Sequence, residues 1–271
     1  MWKSPFDLEG RTVLITGGAG LLGAAYANAL VRSGASVVIA DIDLAAAERV
    51  ARGLNTPAAC AMEIDVTDPD SVNEAVTSTV SWSGAIDGLV NNAALDPKFD
   101  PQHGPPPTQA FEEYPLDLWT RELAVNLTGQ FLCAQRIGRL MRDRKRGSIV
   151  NVSSIYGLVG PDQRLYEEPG AEGPPRIKPV SYCVTKSGVI GLTRYLAAYW
   201  AGQGIRVNTL TLGGVFNGHD EGFVRRYGSR TPLGRMARVD EYCGALMFLL
   251  SDASSYMTGA NLVVDGGWTA W

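Results

Sequence analysis

Thr12-Val13-Leu14-Ile15-Thr16-Gly17-Gly18-Ala19-Gly20-Leu21-Leu22-Gly23 is the stretch on which the reading of this 271-residue chain turns. Five strand-forming residues run into a cluster of glycines, and an amphipathic helix-length segment begins near Leu21. Gly18, Gly20 and Gly23 form a G-x-G-x-x-G. In such a turn a side chain would block the tight bend, the approach of the backbone to a pyrophosphate, or the packing of helix on strand, while the helix N-terminus offers oriented N–H donors. Taken alone, a glycine-rich turn is only a turn.

Its surroundings give it meaning. The next strand, Val37-Val38-Ile39-Ala40, ends in Asp41, the distance after the glycines at which a carboxylate accepts the hydroxyls of an adenosine ribose. A carboxylate there repels a 2′-phosphate, and neighbouring Ile42 and Gly20 supply no cation, so NAD is the expected cofactor. The alternative role for Asp41, capping the following helix, is better filled by Asp43. Gly17, Gly20, Leu21, Leu22, Asp41 and Ile42 are the expected cofactor contacts of this first half.

Outward from this unit the same rhythm continues. Thr12–Thr16, Ser36–Asp41, Ala59–Val66, Ile86–Val90, Ser148–Ser153, Arg206–Leu210 and Leu262–Val264 read as strands, separated by helical patterns at 21–33, 43–53, 69–82, 117–144, 181–202, 221–228 and 239–251. Alternation of this kind predicts an α/β fold, a Rossmann-type doubly wound parallel sheet of about seven strands with helices on both faces. No linker, repeat or low-complexity tail divides 1–271, so one domain is expected. Two proline-rich stretches, 96–109 and 161–179, break the pattern after strands, where ligands bind in open α/β sheets.

Composition bounds the function. Hydrophobic residues make up 45% and charged residues 19%, enough for a large core. A net charge of -4 provides no basic surface for nucleic acid. The longest apolar runs, such as Ala245 to Leu250, are far shorter than a membrane span, and Lys3, Asp7 and Glu9 interrupt any signal-peptide core. Cys60, Cys133, Cys183 and Cys243 lie far apart, as expected of reduced cytoplasmic thiols. With His103 and His219 the only imidazoles, no metal site is expected.

The chemistry is expected at Tyr182-Cys183-Val184-Thr185-Lys186, which sets a phenol and an ammonium four residues apart on one helix face. A phenol is a poor base at neutral pH until a neighbouring cation favours its anion. The pattern by itself is common, and a solvated helix face is its ordinary meaning.

In combination these features resemble the short-chain dehydrogenase/reductase family over nearly the whole chain. The resemblance rests on Thr16–Gly23, Asp65-Val66, Asn91-Asn92-Ala93, Asn126, Ser153-Ser154, Tyr182 with Lys186, Arg206-Val207-Asn208, Thr258-Gly259 and Val263-Val264-Asp265-Gly266-Gly267. It implies that Ser154 polarises the substrate oxygen and Tyr182 transfers the proton. Lys186 would hold the cofactor ribose and lower the Tyr182 pKa, and Asn126 would position a relay water. It further implies adenine contacts from Asp65 and Val66, a cofactor wall from Asn92, Ala93 and Ala94, and contacts to the carboxamide from Val215 and Asn217. A homotetramer or homodimer built on the 117–144 and 181–202 helices is also implied.

The chain departs from the family pattern at Leu21, Ala94, Leu212-Gly213 and Asn217, and most of all in spacing. Ser154 and Tyr182 are 28 positions apart (182 − 154), about twice the usual separation. The stretches around Ser154-Ile155-Tyr156-Gly157 and Gly213-Gly214-Val215-Phe216 resemble a branch associated with flagellin modification and sugar-acid pathways, which implies a polar, sugar-like small-molecule substrate. Asp96, His103, Tyr156, Gln163, Arg164 and Tyr166, with Ser154 and Tyr182, are the expected substrate contacts. The alternatives are a 3-oxoacyl-type carbonyl reductase and, in another class, a silent dinucleotide-sensing or scaffold domain.

Overall fold

The computed structural model describes residues 4–96, 110–166 and 177–271. Seven parallel strands form one sheet in the order β3-β2-β1-β4-β5-β6-β7. They are β1 (Thr12–Thr16), β2 (Ser36–Asp41), β3 (Ala59–Glu63), β4 (Gly88–Asn91), β5 (Gly147–Ser154), β6 (Ile205–Leu212) and β7 (Asn261–Val264). The helices are α1 (Leu21–Arg32), α2 (Leu44–Gly53), α3 (Pro69–Ser83), α4 (Leu116–Leu123), α5 (Gly129–Arg144), α6 (Val180–Tyr199), α7 (Glu221–Ser229) and α8 (Cys243–Leu250).

Every residue of β1 is buried, as a strand covered on both faces requires. Val13 and Ile15 face one way, packing with Tyr26 and Leu30 of α1 and Leu246 and Leu249 of α8. Leu14 faces the other way, into a core shared with Val76 of α3, Ile137 and Met141 of α5 and Leu196 of α6. A third, smaller cluster of Ile155, Tyr156, Leu165, Tyr227, Met236 and Trp268 lies beyond the end of β5.

Caps explain several boundaries. The Asp43 carboxylate accepts from the Ala46 N–H at the start of α2, and Asp68 does the same for Asp70 ahead of Pro69 in α3. Gly204, at φ +72, leads into β6 with its α-carbon so close to the Lys145 carbonyl that a Cβ would stand 2.1 Å from that oxygen.

The helix expected over 117–144 is interrupted: Ala124–Thr128 forms a π-helical segment between α4 and α5. An apolar period near 3.6 runs through both flanks, so the one-residue phase change between them leaves little trace in the sequence. β3 stops at Glu63 rather than Val66, because the chain turns to give Asp65 its own local bonds. The strand expected at 86–90 runs instead from Gly88 to Asn91. Of the two long loops, 97–109 and 167–176 lie outside the described residues.

Candidate functional site

β1 and β4 are neighbours whose connections leave in opposite directions, and that reversal opens a crevice at their carboxyl ends. The crevice is a cleft of about 1330 Å³, larger than a pocket for one small ligand. Turns from β1 to β6 build its wall.

At one end, Gly17 and Gly20 sit on the β1 turn. Gly17 is left-handed, at φ +62, and a Cβ there would meet the Ala93 backbone at 2.8 Å. Gly23 is just as confined, since its Cβ would lie 2.3 Å from the Gly17 carbonyl oxygen. Gly20 differs: the nearest protein atom to a Cβ is 3.4 Å away, so its openness serves the cleft rather than the fold. The turn is tied to β4 by Asn92, whose side-chain amide donates to the carbonyls of Thr16 at 3.1 Å and Gly17 at 3.0 Å. The Thr16 hydroxyl in turn accepts from the Asn92 and Ala93 N–H groups.

Asp41 closes this end. Its Oδ2 accepts from the Ala19 N–H at 3.0 Å and its Oδ1 from Asp43 at 3.2 Å, which holds a half-buried carboxylate at the cleft rim. Ile42 beside it is 67% exposed. Asp65 binds the N–H and hydroxyl of Thr67, turning the chain after β3 so that Val66 also lines the cleft.

The middle of the cleft holds the titratable groups. Ser154 ends β5, and its hydroxyl lines the cleft together with the phenol of Tyr182 from the first turn of α6. Lys186, one turn on, is 3% exposed and donates to the Val152 carbonyl at 3.0 Å, while the Ser153 hydroxyl donates to the Lys186 carbonyl. The Lys186 Nζ lies 5.7 Å from the Tyr182 ring centroid. Burial lowers Lys186 to about 8. Burial also pushes the Tyr182 phenol up, with the Asp96 carboxylate adding to the rise and the Ser154 hydroxyl opposing it. Desolvation is the largest of these influences on the phenol, and the expected lowering is that of Lys186 together with an oxidised nicotinamide.

All the cofactor contacts expected from sequence, including Leu21, Leu22, Ala94, Val215 and Asn217, line this cleft. Asn126 does not. It is fully buried in the π-helical segment, with Oδ1 accepting from the Leu95 N–H at 2.7 Å and Nδ2 donating to the Leu95 carbonyl at 2.9 Å. Its side chain thus fixes the backbone that follows β4.

The expected substrate contacts divide. Asp96, Tyr156 and Tyr166 join Ser154 and Tyr182 in the cleft, and the Tyr166 hydroxyl donates to that of Tyr156 at 3.0 Å. Gln163 and Arg164 are not lining residues. Gln163 is spent on the backbone of Lys178, and Arg164 turns back onto Asp162 with its side chain 77% exposed. His103 lies outside the described residues. Sequence reasoning missed Lys178, Phe223, Arg226 and Tyr227, all of which line the same end. The spacing of Lys178, four before Tyr182, was the available signal. Arg226 donates to the Leu165 carbonyl and Arg230 pairs with Asp162, so α7 and the 161–166 segment are joined.

A family model described as short chain dehydrogenase matches residues 11–166 of the 271, and one described as Enoyl-(Acyl carrier protein) reductase matches 172–269. This chain belongs to the short-chain dehydrogenase family. As a member it is an oxidoreductase of CH–OH groups that uses a nicotinamide dinucleotide. It is similar to a D-threitol dehydrogenase of Mycolicibacterium smegmatis, 36% identical over 97% of this chain and 95% of the relative. A cis-4-hydroxycyclohexanecarboxylate dehydrogenase of Sinomonas cyclohexanicum is also 36% identical, over 96% of this chain and 97% of its own. Among solved structures, a gluconate 5-dehydrogenase from Burkholderia cenocepacia in complex with NADP and tartrate superposes with a TM-score of 0.84 at 33% identity, covering 98% of each chain. Among the described residues of this short-chain dehydrogenase no helix is long and apolar enough to cross a membrane.

Proposed function

We propose that this short-chain dehydrogenase interconverts a secondary alcohol and a ketone, or a sugar hemiacetal and lactone, on a small polar, sugar-like substrate, with NAD as its cofactor. The observation that carries the reading is that Ser154, the Tyr182 phenol and Lys186 line one cleft whose other end presents Asp41.

The residues fit a dinucleotide. Gly20 keeps clear space at the N-terminus of α1 for a pyrophosphate, and Asp41 faces the same space as an acceptor for ribose hydroxyls. Its charge supports NAD over NADP. The cleft's arginines and second lysine, Arg121, Arg226 and Lys178, come from α4, α7 and the 161–179 loop, not from the β1–β3 turns. The bound nicotinamide supplies hydride acceptance or donation and, when oxidised, a positive charge. In oxidation the Tyr182 oxygen takes the carbinol proton while the Ser154 hydroxyl orients the substrate oxygen; in reduction Tyr182 returns the proton. Lys186 holds ribose hydroxyls and, as a cation, favours the phenolate. Asn126 serves through Leu95, holding in place the backbone beside which a relay water would sit.

The substrate class draws support from the polar side chains around Tyr182, from the hydroxy-compound dehydrogenases among the relatives and from the gluconate 5-dehydrogenase neighbour. Free thiols at Cys60, Cys133, Cys183 and Cys243 support a reducing, cytoplasmic setting. Exposed Tyr195 and Tyr199, stacked on α6, and Phe131 on α5 support a homotetramer or homodimer through those helices.

The test is a screen of polyols, sugars and sugar acids for NADH formation, run on the native enzyme and on Tyr182→Phe. The variant should keep its fold and NAD affinity and lose about a hundred- to ten-thousand-fold in kcat. Undiminished turnover in Tyr182→Phe would sink the mechanism, and exclusive oxidation of simple hydrophobic alcohols would sink the substrate class.

A further inference from the structure

The loop that doubles the distance between Ser154 and Tyr182 returns to the cleft through Lys178. The Gln163 side chain grips that residue by both backbone groups: Oε1 accepts from the Lys178 N–H at 2.8 Å and Nε2 donates to its carbonyl at 3.4 Å. With its main chain so held, Lys178 turns its side chain inward. Only 11% of that side chain is exposed, its Nζ stands 3.9 Å from the centroid of the Tyr182 ring, and it forms an ion pair with Asp96. A lysine is rarely kept this far from water without a partner, and among the described residues its side chain meets the Asp96 carboxylate and the face of the Tyr182 phenol.

We infer that Lys178 is a second cation acting on Tyr182, with Asp96 as its counter-charge, and that the pair sets the pH range over which this phenol exchanges its proton. The inference rests on the reading of Tyr182 as the acid/base group, and makes Lys178 and Asp96 positioning residues for it. Deprotonation places negative charge on the ring as well as on the oxygen, so a cation over the ring face favours the phenolate and a neighbouring carboxylate opposes it.

Among the described residues the titratable and polar groups facing Tyr182 can be named. From β5 and the turn after it come Ser154, which is neutral, and Tyr156, pushed up to about 12 by burial. The loop contributes Lys178 and Tyr166, the latter also raised by burial. Asp96 comes from the segment after β4, and α6 itself adds Lys186 and Cys183, whose thiol burial raises. Among the described residues these two lysines and Asp96 are the acidic and basic groups around the phenol, so removing the charge at 178 or at 96 leaves the other member of their ion pair uncompensated. The two substitutions must then move the phenol in opposite directions, which a packing role could not produce.

The test uses the full-length, cofactor-free protein with a fluorinated tyrosine at position 182, whose phenol is more acidic than that of tyrosine, and follows its ¹⁹F resonance across pH. Lys178→Met should raise the midpoint and Asp96→Asn should lower it, each by about one pH unit. Lys178→Arg keeps the cation and should stay at the parent value, guarding against a folding defect in the methionine variant. Midpoints that do not move, or that move the same way in both charge-removing variants, overturn the inference. Failure of the underlying reading would appear separately, as full turnover in Tyr182→Phe.

Discussion

Replacing Asp41 by Asn removes one charge from the cleft rim and one of its two bonds from backbone donors, that of 3.2 Å from the Asp43 N–H. The amide oxygen can still accept from the Ala19 N–H, the bond of 3.0 Å that holds the glycine turn, so the turn should survive. Two effects then act on the cofactors. A phosphate charge about 5 Å from the carboxylate is repelled by about 1–3 kcal/mol for an effective dielectric between that of water and that of a protein surface. Relief of that repulsion should tighten NADP binding about tenfold to a hundredfold. In the other direction, ribose hydroxyls lose a charged acceptor for a neutral one, a difference of about 1 kcal/mol, and NAD should weaken several-fold. The ratio of the two dissociation constants should therefore swing about a hundredfold toward NADP. Calorimetric titration of both cofactors at low and high salt reads the ratio directly, and the swing should shrink with salt because the rim is hydrated. An unchanged ratio in Asp41→Asn, or a native enzyme that binds NADP as tightly as NAD, would refute the assignment of Asp41.

Two further predictions come from the same cleft. In the cofactor-free protein, Lys186→Met should be more stable than the parent at pH 7. The buried ammonium, lowered from 10.5 to about 8, costs about 3 kcal/mol while it is charged in the folded state, less about 1 kcal/mol for the lost bond to Val152. Between about 8 and 10.5 the unfolded chain binds the proton that the folded one has released, so the parent gains stability with rising pH and the advantage of the variant fades. Denaturant melts at pH 7 and pH 9.5 that show a less stable variant at both would contradict this. Gly20→Ala and Gly23→Ala should separate fold from ligand: the first should melt near the parent temperature with weakened NAD binding, whereas the second forces a Cβ onto a carbonyl and should lose about 1–3 kcal/mol of stability as well. Equal melting temperatures for the two would show that the turn can relax.

The sheet and the dinucleotide end of the cleft could be read from sequence because each depends on short, contiguous patterns. Five buried residues followed by glycines can hardly be anything but β1 and its turn, and Asp41 follows at a fixed distance. The Tyr182 and Lys186 pair was equally visible, being one helical turn apart. The substrate end was not, because its contacts are made by chain that folds back on itself. Gln163 and Arg164 look like ligand-binding side chains, yet one clasps a backbone and the other a neighbouring carboxylate. Lys178 looked like one more loop charge until the fold brought it over Tyr182. Burial, too, acts on Tyr182 from residues scattered along the chain, and no local spacing encodes it.

The π-helical segment makes length, rather than side-chain identity, the sensitive property of that stretch. Each residue turns an α-helix by about 100°, so α5 stands out of phase with α4 by roughly that angle compared with an unbroken helix. On the α4 side the offset keeps Glu122 against the hydroxyls of Tyr114 and Ser181; on the α5 side it keeps Cys133, Ile137 and Met141 in the core. Exchanging Val125 or Leu127 for another apolar residue asks only for local repacking. Deleting any one residue between Ala124 and Thr128 would swing one of those two faces off its partners, and would carry Asn126 away from Leu95 with it.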